Sequence, residues 1–186
     1  MKLHLALAVV AAACAGCAGT GSALDSLNNG LRQVNQAMAP TNSGAPAIFG
    51  PSLSVEQQGQ MQNALSASLG ARDAAFRNMV SSAQPVMVAV MSKTACFQGS
   101  NDYQVVSMYT SARLDNSYIC SPWTRMQYAP KGRCLSVLRT DSWAQKSLNA
   151  FSYRTVFYSP ESGESQAVNY EYVKQDGTWL LNYVSF

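Results

Sequence analysis

An α+β domain, helices first and an antiparallel sheet afterwards, is the fold class this sequence predicts. One observation is a stripe of apolar residues at helical spacing, from Met61 through Leu65, Leu69, Phe76, Met79, Val80, Ala83 and Met87 to Val90. A second is a set of three period-two segments near the C-terminus, Phe151 to Phe157, Val168 to Tyr172 and Trp179 to Val184. The third is Asp176-Gly177 between the last two, a pair whose tolerance of positive φ suits a two-residue hairpin. Together they predict a curved antiparallel sheet ending in a three-stranded meander that packs its apolar face on the helices.

The chain has 186 residues, with 13 Lys and Arg against 10 Asp and Glu. So sparse and balanced a charge lacks the dense basic stripe that a nucleic-acid partner requires. Residues 1–16 read as an export signal, with Lys2 at the start, an apolar run from Leu5 to Ala13 and small residues after it. That run is shorter than the roughly 20 residues a membrane-spanning helix needs. Ala15, Gly16 and Cys17 resemble the lipobox of bacterial envelope lipoproteins, whose Cys is acylated and becomes the new N-terminus. Cys14 stands where that pattern usually has Leu. The resemblance implies lipidation at Cys17, two or three acyl (palmitate-type) chains, and, from Ala18 after the Cys, the periplasmic side of the outer membrane. Ordinary cleavage between Gly16 and Gly21 is the alternative.

Residues 17–51 read as a tether. Leu24, Leu27, Leu31, Val34 and Met38 line one face of a short helix that Ser22 and Asp25 begin, and the stretch from Ala39 to Pro51 holds three Pro and two Gly. A single domain is expected over 52–186. Ser54 with Gln57 forms a capping box at its first helix, and Pro85 must kink the long helical segment or start a second helix. The methionines of the stripe are core residues. The region from Asn101 to Pro130 is ambiguous between helix and strand, and Leu135 to Thr140 reads as a strand.

The segment Val168 to Leu181, a strand, the Asp176-Gly177 turn, Trp179 and a returning strand, resembles the last hairpin of nuclear-transport-factor-2-like (cystatin-like α+β) domains. That resemblance implies a cone in which a curved sheet wraps a helix. It also implies a family that includes envelope lipoproteins, secretion-system components and small enzymes.

Cys96, Cys120 and Cys134 remain in the domain, and an exported chain meets an oxidising compartment, so one disulfide is expected with its pairing open. The single histidine, His4, lies in the leader. Without another, Ser-His-Asp and Cys-His catalysis are excluded and a zinc site is not expected. No Gly-rich phosphate loop follows a strand, so neither nucleotide nor cofactor is expected. Glu161 and Glu164 form a close acidic pair in a turn, where solvated carboxylates are the rule.

Two readings of function remain. The first is a non-catalytic envelope lipoprotein serving as an accessory or scaffold component of a secretion, pilus or outer-membrane assembly. Trp179, Tyr183, Tyr170 and Arg154 are its candidate partner contacts, since aromatic and Arg side chains supply most interface hot spots. The second is a small-ligand-binding or cone-type enzyme domain with an aromatic pocket; the resemblance implies a Tyr or Asp inside the cone, and Tyr153, Tyr170, Tyr172 and Asp141 are of those types. Binding to peptidoglycan or another glycan rests only on the Tyr and Trp content.

Overall fold

The computed structural model describes residues 52–70, 72–96, 106–114, 121–127 and 133–186. The leader, Cys17, the tether and Cys120 lie outside the described residues. Helix α1 (Val55–Leu69) starts on the expected capping box: Ser54 Oγ accepts from the Gln57 amide at 3.2 Å, and Gln57 Oε1 accepts from the Ser54 amide at 3.0 Å. The Gln57 side chain also donates to the Cys134 carbonyl at 2.9 Å, so the cap fastens the helix to the sheet as well.

Helix α2 (Ala74–Ala95) carries most of the apolar stripe, and Phe76, Val80, Ala83, Met87, Val90 and Met91 are buried along it. The break in the helical segment falls earlier than Pro85. Gly70 ends α1, and the Asp73 carboxylate starts α2 by accepting from the Phe76 amide at 2.9 Å. Pro85 instead sits within α2 at an exposed position.

Strands β1 (Ser136–Ser147), β2 (Ala150–Tyr158), β3 (Ser165–Gln175) and β4 (Thr178–Ser185) form one antiparallel sheet in sequence order. The expected three-stranded meander is therefore four-stranded. Strand β1 runs seven residues past the predicted Thr140 because its alternation is interrupted. Its register against β2 shifts after Val137, after Asp141 and after Gln145, and Ser142 has a φ of 54°, so period-two counting fails there. Asp176 and Gly177 have φ values of 49° and 81°, the positive pair that the β3–β4 hairpin calls for.

One sheet face packs on α2 and forms the core with Phe151, Tyr153, Phe157, Val168, Tyr170, Tyr172 and Leu181. Cys96 and Cys134 form a disulfide that joins the end of α2 to the start of β1, next to a hydrogen bond from the Leu135 amide to the Ala95 carbonyl. Val106–Tyr109 makes a helical turn, after which Thr110 pairs in parallel with Leu181 on the outer edge of β4. A 3-10 turn, Pro122–Arg125, buries Trp123. No helix among the described residues is long and apolar enough to cross a membrane.

Candidate functional site

The aromatic residues predicted from the strands divide by parity. Tyr153 pairs with Tyr170 and Phe151 with Tyr172 across β2 and β3, which puts all four on the inner face. There the rings fill the space they line. Trp143 stacks on Tyr153 with centroids 4.5 Å apart, Tyr153 lies 5.5 Å from Tyr170, and Phe151 stacks on Tyr172 at 5.6 Å. The hydroxyls of Tyr153 and Tyr172 and the Thr155 Oγ1 are buried beside one another without a well-formed hydrogen bond. Burial pushes the Tyr153 and Tyr172 phenols above the usual tyrosine range, so they stay protonated.

Asp141, the acid proposed to work with these tyrosines, is on the opposite face. It pairs in register with Arg154, whose Nε donates to it at 2.6 Å, and Arg139 Nε donates to its second oxygen at 3.0 Å. The Arg154 guanidinium, despite partial burial of the carboxyl, and then Arg139 and Ser142, hold the Asp141 pKa at about 2. The structure therefore does not assemble the tyrosine and aspartate set.

Two of the four partner-contact candidates are corrected in the same way. Trp179 and Tyr170 are 5% and 1% exposed, and neither side chain is offered to a partner. Trp179 instead anchors β4 to α2 by donating from its indole nitrogen to Ser82 Oγ at 2.8 Å. Glu161 pairs with Arg133 at 2.6 Å while Glu164 accepts from the Gln127 amide, so the two carboxylates are committed to different groups.

Arg154 and Tyr183 lie on the outer face. The registers lay Asp141, Arg154, Asn169 and Ser185 in one row across all four strands, and Ser152, Glu171 and Tyr183 in the next. Tyr183 is 51% exposed, Arg154 and Glu171 are half-buried, and Asn182 donates to the Glu171 carboxylate at 2.7 Å while accepting from Ser111 Oγ at 2.9 Å. The result is an ordered polar surface with one aromatic ring standing clear of it.

At the β1 edge this face runs into a cleft between β1 and the outward flank of α1, which the sequence reading missed. The cleft encloses about 1040 Å³ and is open along one side, with Gln60, Asn63, Ala64, Leu138, Arg139 and Tyr158 among its lining residues. Leu138 is the residue skipped by the first register shift of β1, which explains a 54% exposed leucine within a strand. The consecutive apolar pair Val137-Leu138 was the signal available in the sequence. Among the described residues no group of three or more His, Cys, Asp and Glu is placed to hold a metal ion. No protein-family model, no curated protein and no solved structure matches this chain.

Proposed function

We propose that this chain is a non-catalytic envelope protein, exported and anchored through Cys17, that docks as an accessory or scaffold subunit in an envelope assembly. The observation that carries the reading is the outer sheet face. A sheet that needed only a core would tolerate any polar residues there, yet this one pairs Arg154 with Asp141 and, separately, Glu171 with the buried Asn182, beside the exposed Tyr183. Pre-ordered charged groups around an aromatic anchor bind a protein partner at lower entropic cost than free surface side chains.

The Cys96–Cys134 bond fits an oxidising compartment. The order of two helices and then an antiparallel meander is compatible with a cone-shaped, nuclear-transport-factor-2-like domain, and the register shifts in β1 are the device by which such a sheet would curve around α2. The inner aromatic cluster acts as packing in this account, with the rings occupying the interior that a ligand would need.

The test is cross-linking in intact cells, followed by purification of the membrane-extracted protein and identification of what stays bound. The reading expects one stoichiometric envelope component, lost when Cys17→Ser prevents anchoring. Recovery of the protein alone would contradict it.

A further inference from the structure

The cleft beside β1 has its own chemistry, independent of docking on the outer face. Helix α1 lies along the free edge of β1, with Ser68 Oγ and Thr140 Oγ1 2.6 Å apart and Thr140 Oγ1 donating to the Ala64 carbonyl at 2.9 Å. The lining charges are Glu56 and Arg139, and Arg139 is already held by Asp141. Neither a phosphate nor a polyanion finds a cluster of cations there.

What remains is an open trough of about 1040 Å³, at the upper end of the roughly 300–1,000 Å³ typical of small-ligand sites. Ala64, Ala67 and Leu138 supply apolar surface, Tyr158 an aromatic ring, and Asn63 and Gln60 side-chain amides. Pyranose rings present the matching surface, with apolar C–H faces for stacking on an aromatic ring and polar edges that need groups able both to donate and to accept. A side-chain amide is such a group.

We propose that this cleft binds a short stretch of a neutral glycan chain, stacked on Tyr158 and hydrogen-bonded by Asn63 and Gln60. The experiment titrates the purified full chain with the N-acetylglucosamine trisaccharide and separately with maltotriose, following binding by calorimetry. The two sugars distinguish an acetamido-bearing glycan from a plain glucan. Expected is a dissociation constant of about 1 mM or tighter for at least one sugar, weakened about tenfold or more by Tyr158→Ala and by Asn63→Ala. Asn63 is exposed on a helix, so its replacement keeps the fold even if Tyr158→Ala does not. Tyr183→Ala, on the outer face, is expected to leave sugar binding unchanged, which separates this proposal from the docking one. No binding of either sugar at about 10 mM, or binding that survives Asn63→Ala, overturns it.

Discussion

Replacing Cys96 and Cys134 together with Ala should cost this domain about 4 kcal/mol. The estimate follows from the 38-residue separation of the two cysteines, because the cross-link removes the entropy of closing that loop from the unfolded chain. Ala is the right substitute, since both positions are buried and Ser would add a hydroxyl to each. Against a typical total of about 5–15 kcal/mol, the loss is large enough to measure and small enough to leave a folded population. Urea unfolding followed by tryptophan fluorescence should show the midpoint falling by about 2 M for a slope near 2 kcal/mol/M. Reduction of the unaltered protein should reach the same midpoint. A loss below about 1 kcal/mol would refute the reasoning, for it would mean that the 96–134 loop is already constrained without the bond.

Three further outcomes follow from other contacts. Tyr153→Phe and Tyr172→Phe should leave stability unchanged or raise it by up to about 1 kcal/mol, because each removes a buried hydroxyl without a well-formed bond; a loss above about 1 kcal/mol in thermal melts would show that the bond exists. Ser68→Ala should cost about 1–3 kcal/mol in urea, since Ser68 Oγ accepts the buried Trp143 indole proton at 2.9 Å and its loss strands that donor between α1 and β1. Asp141→Asn should cost about 1 kcal/mol at pH 7, the Arg pairs being partly exposed. The folded-state pKa of Asp141 is depressed from 3.8, so this contribution is complete above about pH 5 and disappears as pH falls through about 2. Urea melts at pH 6 and pH 2.5 should show the gap between Asp141→Asn and the unaltered chain narrowing at the lower pH.

Periodicity carried the sequence reading where the chain repeats itself, as in the α2 stripe, β2, β3 and the Asp176-Gly177 turn. It failed where local geometry breaks the period. The bulges of β1 hid the second half of that strand from residue counting, and with it the placement of Asp141 on the outer face. Helix separation at Gly70 and Asp73 was overlooked because Pro85 is the stronger breaker in isolation, although an exposed position inside α2 tolerates it. Residue type alone suggested Trp179 and Tyr170 as contacts, whereas register decides which face a strand residue occupies and sends both to the core. Tyr183 remained outside because Asn182 is the additional residue at the β3–β4 register shift. The cleft joins α1 to β1 across more than seventy residues of sequence, a separation that no local pattern reports.

Docking through the outer sheet face is the central claim, and site-specific photo-cross-linking in intact cells tests it most directly. A photoreactive residue is placed at Tyr183, and in separate strains at Met108 and Leu148, which are 73% and 84% exposed and lie outside the four strands. The account predicts a single discrete adduct from position 183, weakened by Arg154→Glu, and none from the other two. No adduct at 183, or the same adduct from all three positions, would contradict it.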